Sequence, residues 1–277
     1  MTALVLISLP GCTSAFGRKT LVASVYPLAY AAEGMAGPDW EVIDLTPPGA
    51  EAHDLELSLE DRSAIEDADL VVYLGDIGFQ PQVEAAVEEA DGQVVDLSVD
   101  LEVRPGVIDP HVWLAPSSFR TIVNVIGQEL CPSDDPCSAE EQQKREAFGA
   151  RLDRLDRSYF TGLQRCRYET LVVSHEAFAH LEEIHGIRQF GLSGSSPEAE
   201  PSVERLSEAR ALIAEGEAGA VFYEEHEEAR EIAETFAADA GVPALPLATL
   251  ETRPVEGDYI SVMEENLASL REGLECE

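Results

Sequence analysis

The sequence predicts an α/β protein of two lobes, each with a four-stranded, mostly parallel sheet flanked by helices. One long rigid helix joins the lobes, and a ligand site lies between them. Three observations carry this. A capped amphipathic stretch divides the chain, the parts on either side repeat one pattern, and strand-like runs alternate with helix-like ones in both.

The dividing stretch runs from Ser138 to Arg165. Ser138 and Glu141 have the spacing of a capping box, in which each side chain satisfies an orphan backbone donor of the other. Phe148, Leu152, Leu155, Tyr159 and Leu163 follow at spacings of three and four, which places them on one helical face. The other positions are mostly Glu, Arg, Asp and Gln, a solvated face. Such a helix is roughly 40 Å long, comparable to the width of a domain. The expected division is 1–18 signal and tether, 19–137 first lobe, 138–165 linking helix and 166–277 second lobe.

The first lobe reads LVASVYPLAYAAEGM, EVIDLTPPGAEAHD, DADLVVYLG and GQVVDLS. The second reads TLVVSHEAFAHLEEIHG, RQFGLSGSSPEAEPS, EAGAVFYEE and VPALPLATLE. Each set has four short apolar runs rich in β-branched residues, with helical patterns between most of them, such as LSLEDRSAIED and PQVEAAVEEAD, then SVERLSEARALIAEG and EAREIAETFAADAG. This alternation implies βαβ units and parallel sheets covered on both faces. Ligands of such sheets bind beyond the carboxyl ends of the strands. Strands are expected at Leu21–Val25, Glu41–Leu45 and Ala244–Leu250, among others.

The chain carries 54 acidic and 18 basic residues, a net charge of −36, with Lys19 and Lys144 as its two lysines. That excludes a general nucleic-acid surface, since little would neutralise phosphates. An acidic, solvated surface of this kind suits high salt or solubility, and a raised local cation concentration is the functional alternative. The first residues, MTALVLISLPGCTSAFGRKT, resemble a lipoprotein signal in which Cys12 becomes the lipidated first residue. The short apolar run and absent basic n-region depart from the signal pattern, so a native start upstream of Met1 is the expectation. A frayed N-terminal strand is the structural alternative. The other cysteines, Cys131, Cys137, Cys166 and Cys276, are even in number in an exported chain. Cys131 pairs readily with Cys137 across PSDDP, leaving Cys166 for Cys276, with free thiols as the alternative.

Candidate chemistry lies at the carboxyl ends of the strands. His53 follows Pro47-Pro48-Gly49, which turns and stiffens the backbone. His111 stands in Asp109-Pro110-His111-Val112-Trp113, where the Trp113 ring can fix its rotamer or simply seal a core. His175 ends Thr170–Ser174, and Glu251 ends the last apolar run. Three neutral nitrogens and one anionic oxygen suit a tetrahedral, borderline-soft cation, and zinc fits best. His175 and His180 are five apart, so HEAFAH is not the HExxH of a zinc protease, and His180 and His185 read as surface or packing residues. His226 belongs to a solvated helix start. GLSGS falls one residue short of a GxSxG elbow, and neither a Walker loop nor GxGxxG is present.

These segments together resemble the metal-binding solute receptors of ABC importers, the zinc and manganese uptake group (ZnuA/TroA-like). PPGAEAHD resembles the family's PPGxEPHxxEPS, DPHVWLAP its DPHVWLDP and SHEAFAHL its SHxAFxYL; SPEAEPS, VFYEE and LATLET match further segments. The resemblance implies metal ligands His53, His111, His175 and Glu251. Trp113 and Glu224, or Glu225, are expected beside them to orient the imidazoles. Ala115, His180 and Ala52 depart from the family pattern without removing a ligand, and RPGVI stands where zinc receptors often carry a His-rich loop. A Glu at the place of His175 is common in manganese receptors, so the third His favours zinc.

The expected protein is therefore a lipid-anchored, extracytoplasmic receptor, in the periplasm or at the cell surface. It acts as a monomer, captures Zn²⁺ and delivers it to a permease and its ATPase, without enzymatic activity. The alternatives are Mn²⁺ or Fe²⁺ as cargo, a surface adhesion or interaction lipoprotein, and a zinc hydrolase with Glu251 as base.

Overall fold

The structure, a computed structural model, describes residues 17–50, 52–53, 55–98, 102–104, 107–132, 137–194, 199–224 and 227–277. Cys12, Glu225 and His226 lie outside the described residues.

The first sheet contains β1 (Lys19–Ala23), β2 (Trp40–Asp44), β3 (Leu70–Tyr73) and β4 (Gln93–Asp96), in the order β2-β1-β3-β4 and parallel throughout. A two-residue strand, β6 (Val107–Ile108), pairs antiparallel with β5 (Glu102–Arg104) as a small separate hairpin. The second sheet contains β7 (Thr170–Val173), β8 (Arg188–Gly191), β9 (Val221–Tyr223) and β10 (Ala244–Pro246), ordered β10-β9-β7-β8 and again parallel. Read from the other edge, this is the order of the first sheet, so the sequence repeat is also a repeat of topology.

Helices cover both faces. The first lobe has α1 (Tyr26–Met35), α2 (Leu59–Glu66), α3 (Pro81–Ala86) and α4 (Pro116–Leu130). The linking helix is α5 (Ala139–Gly162), and the second lobe has α6 (Ala179–His185), α7 (Val203–Ala214), α8 (Glu227–Ala240) and α9 (Tyr259–Gly273). Side-chain alternation along the strands decides which core each residue joins. Leu21 and Ala23 of β1, and Leu171 and Val173 of β7, enter one core shared by both lobes. Val22 faces the other way, into a cluster under α2 and α3, and Val172 into a cluster with residues of α7 and α8.

The shared core is organised by α5. Its Ser138–Glu141 capping box forms: Ser138 N–H donates to Glu141 Oε2 at 2.8 Å, and Glu141 N–H to Ser138 Oγ at 3.3 Å. Phe148, Leu152, Leu155, Tyr159 and Leu163 are all buried, between α1 and α4 on one side and α9 on the other. Each such side chain contributes about 1.5–3 kcal/mol relative to exposure. A Cβ at Gly34 would collide with the Phe148 ring, so α1 approaches α5 only because that position is glycine. Tyr159 Oη donates to the Met263 carbonyl at 2.8 Å and fastens α5 to α9.

The expected elements form with shifted ends. β1 and β2 begin and end one or two residues earlier than the apolar runs, α5 stops at Gly162, and β10 ends at Pro246 instead of Leu250. Beyond Pro246 the Leu247 N–H still donates to the Tyr223 carbonyl of β9 at 2.7 Å, and the side chains of Leu247 and Leu250 pack in the shared core. Cys131–Cys137 and Cys166–Cys276 are joined as disulfides, the second bridging the end of the linking segment to the end of the chain. Among the described residues, no helix is long and apolar enough to cross a membrane.

Candidate metal centre

His53, His111, His175 and Glu251 meet between the two sheets. One ligand atom from each lies within 4.8 Å of all the others. They arrive by four different routes. His53 comes from the loop after β2, where Gly49 adopts φ 82° and the Ala50 N–H closes a turn onto the Pro47 carbonyl at 3.0 Å. His111 follows the β5–β6 hairpin and precedes a 3₁₀ turn, Val112–Leu114, so it does not end a strand of either main sheet as expected. His175 lies two residues beyond β7. Glu251 follows Leu250, whose φ of 56° is unusual for a residue with a Cβ.

Glu251 is the hub. Its Oε1 lies 3.1 Å from His111 Nε2 and 3.6 Å from His175 Nε2, and its Oε2 lies 3.3 Å from His53 Nε2. A tetrahedral ion with bonds of about 2.0–2.2 Å sets its ligand atoms roughly 3.3–3.6 Å apart. The carboxylate stands at such separations from His53 and His175 and slightly closer, at 3.1 Å, to His111. His175 Nε2 is buried and has no hydrogen-bond partner. A polar atom in that condition is costly unless something else engages it. His53 is the most exposed of the set, with 18% of its side chain accessible, so the mouth of the site lies on its side.

Carboxylates aim the other two rings. Asp109 Oδ1 accepts from His111 Nδ1 at 2.7 Å and from the His111 backbone N–H at 2.9 Å. Glu224, just past β9, accepts from His175 Nδ1 through Oε1 at 2.6 Å. An ionised carboxylate only accepts, so each Nδ1 carries the hydrogen and each Nε2 is directed at the centre. Trp113 is fully buried with its ring 5.4 Å from that of His111, and its Nε1–H donates to the Thr249 carbonyl at 2.7 Å. Phe79 sets its ring edge-on to His53 at 4.8 Å.

The charges couple tightly. Burial works against an ionised Asp109, but the His111 charge and hydrogen bonds outweigh it and hold the acid at about 2. Burial likewise opposes a charged His111, yet Asp109 and Glu251 raise its pKa to about 10. Glu251 is held well below the usual carboxylate range, burial being outweighed by hydrogen bonds from His111 and His53. A positive charge on His111 offsets one of the two negative charges of Asp109 and Glu251.

The structure thus brings together the four residues expected as ligands, with Trp113 and Glu224 beside them. His180 is buried and packs as one of its two expected roles; its Nε2 bonds the Asp109 carbonyl at 2.9 Å. His185 is away from the set, at the end of α6. Asp109 is the participant that sequence reasoning passed over. Its position two residues before His111 was the available signal, since that spacing lets one carboxylate reach both the ring and the backbone. Asp109 also ties the lobes, because its Oδ2 accepts from the Ala179 N–H of α6 at 2.8 Å.

The profile of the family described as zinc-uptake complex component A, periplasmic, matches residues 21–273. The zinc-binding lipoprotein AdcA of Streptococcus pneumoniae is 29% identical over 297 residues, covering 98% of this chain and 59% of its own length. The chain therefore spans about 59% of that curated relative. The high-affinity zinc uptake system protein ZnuA of Bacillus subtilis is 26% identical over 292 residues, 96% of this chain and 91% of its own. The crystal structure of the Zn(II)-bound ZnuA-like domain of S. pneumoniae AdcA superposes with a TM-score of 0.78 at 28% identity, covering 94% of this chain and 100% of that domain.

Proposed function

The chain belongs to the periplasmic zinc-uptake component A family, and from that premise we propose that it is the extracytoplasmic receptor of an ABC importer, capturing Zn²⁺ between its lobes for a membrane permease and its ATPase. The observation that carries this reading is the buried set His53, His111, His175 and Glu251, with one ligand atom of each within 4.8 Å of the rest. Nitrogen-rich coordination favours zinc over manganese, which prefers oxygen. The carboxylates of Asp109 and Glu224 keep two imidazoles in the tautomer that binds through Nε2.

The family is one of metal-binding transport components and not of enzymes. Four protein ligands close a tetrahedral shell and leave no position for an activated water, which supports a purely carrying role for this chain. We assign membrane attachment to lipidated Cys12, a monomeric state, and the division 1–18, 19–137, 138–165 and 166–277 on the sequence pattern.

Metal content by mass spectrometry, with competition titration of Zn²⁺ against Mn²⁺ for wild type and His175→Ala, tests the reading. One tightly held zinc, lost or greatly weakened in the variant, is expected. A preference for manganese would replace the cargo, and absence of tight metal in the reconstituted wild type would overturn the receptor.

A further inference from the structure

Glu251 belongs by sequence to the second lobe, yet the segment around it is fastened to the first. Thr249 offers its carbonyl to Trp113, and Asp258 accepts from Tyr30 Oη at 3.1 Å and from Arg151 Nη2 at 2.9 Å. Tyr259 N–H donates to Tyr26 Oη at 3.0 Å. Midway along this strap is Arg253, which makes the densest set of contacts. Its backbone N–H donates to the Thr46 carbonyl at 3.1 Å. Its guanidinium grips Glu33 with two bonds, at 2.7 and 3.3 Å, and donates through Nε to Asp44 Oδ2 at 3.1 Å. Its plane lies over the Tyr26 ring, 4.9 Å from the centroid.

We propose that Arg253 is a positioning residue for metal retention: a latch that holds the Glu251 strap on the first lobe and so sets how long the site keeps zinc. The latch joins the roots of two ligand-bearing segments. Arg253 is two residues beyond Glu251, and Thr46 is where the loop carrying His53 leaves β2. Asp44 Oδ1 accepts from both the Thr46 N–H and its Oγ1, at 3.0 and 3.2 Å, and Thr46 Oγ1 accepts from the Tyr26 N–H at 2.7 Å. Arg253 therefore meets a preformed acceptor surface. A planar, bidentate grip of this kind fixes direction as well as charge, which a lysine does not reproduce.

Leu250 gives the latch something to hold. A left-handed φ at a residue with a Cβ persists only where surrounding contacts impose it. Thr249 and Arg253 pin the strap on either side of Leu250 and Glu251, so the strained turn that aims the carboxylate is braced at both ends. With Glu251 braced against the first lobe and His53 and His111 carried on it, His175 is the one member of the set that follows a strand of the second sheet. Zinc leaves when the strap peels or when His175 withdraws, and Arg253 controls the first route.

The proposal rests on the receptor reading, and the experiment separates the two. Zinc-loaded full-length protein is mixed with excess EDTA in a stopped-flow instrument, and association is measured separately. Arg253→Gln is expected to release zinc about tenfold faster with little change in association and with one zinc still bound. Glu33→Gln should shift release the same way by less, and the double variant should release no faster than Arg253→Gln alone. Arg253→Lys should recover part of the wild-type residence time, and Arg230→Gln, which breaks an exposed pair with Glu234, should change nothing. A purely structural loss would lower the thermal midpoint without altering release. Unchanged release from Arg253→Gln, beside a wild type that holds zinc, would overturn the latch alone. A wild type that binds no zinc would overturn the receptor reading and the latch with it.

Discussion

Glu224 Oε1 lies 2.6 Å from His175 Nδ1, and Glu224 Oε2 lies 3.3 Å from Thr249 Oγ1. One carboxylate thus aims a ring of the candidate site and touches the strap that delivers Glu251. An orienting partner of this sort usually costs 10–100-fold in metal affinity when removed. Glu224→Ala should bind zinc about 10–100-fold more weakly at unchanged stoichiometry, read by competition with a chromophoric chelator. Wild-type affinity in the variant would mean that packing alone orients His175.

The charge coupling at the site gives the second prediction. The folded-state pKa of His111, about 10, lies above its ordinary value of 6.5. Its contribution to stability is therefore complete below about 6.5 and is lost as pH rises through about 10. Asp109 behaves oppositely: its folded pKa is about 2 against 3.8, so its contribution is present above 3.8 and lost as pH falls through about 2. Near neutrality His111 is charged, and zinc must displace the proton from Nε2. Titration calorimetry in buffers of different ionisation enthalpy should show about one proton released per zinc, with affinity rising as pH rises. Release of no proton would show that His111 is neutral before zinc binds.

The disulfides should contribute unequally. Cys166–Cys276 closes a separation of 110 residues, and Cys131–Cys137 one of 6. In the chain-entropy account the difference is roughly 2.5 kcal/mol in favour of the longer loop. Paired Cys→Ser variants, unfolded in urea, should rank accordingly. Equal losses would place the effect in native packing instead.

The four residues of the candidate centre were legible because each sits in a short, chemically distinctive segment: PPGAEAHD, DPHVW, VVSHE and TLE. Local pattern also exposed α5, whose cap and apolar stripe need no knowledge of distant partners. α4 was passed over although Phe119, Ile122, Val123, Ile126 and Leu130 mark a buried helical face. The β5–β6 hairpin is too short to leave a periodic signal. Leu247–Leu250 looked like strand because burial and strand pairing leave the same apolar trace. Arg253 left no trace at all, since its acidic partners lie 209 and 220 positions away and only the folded chain brings them together.

Trp113 and Tyr159 offer a paired test of whether the strap matters to the site. Both are fully buried, and each donates one hydrogen bond to a backbone carbonyl: Trp113 to Thr249 at 2.7 Å, Tyr159 to Met263 at 2.8 Å. Trp113→Phe and Tyr159→Phe each remove one buried hydrogen bond, at a cost of about 0.5–1.5 kcal/mol. Trp113→Phe also opens a void beside His111, adding to its loss. Both variants should therefore unfold at lower urea. Their zinc affinities should diverge, because Thr249 stands two residues from Glu251 whereas Met263 lies within α9. Competition titration should show weaker zinc binding in Trp113→Phe and unchanged binding in Tyr159→Phe. Equal affinities in the two variants would mean that the strap is anchored well enough without Trp113, and that Glu251 keeps its place by other contacts.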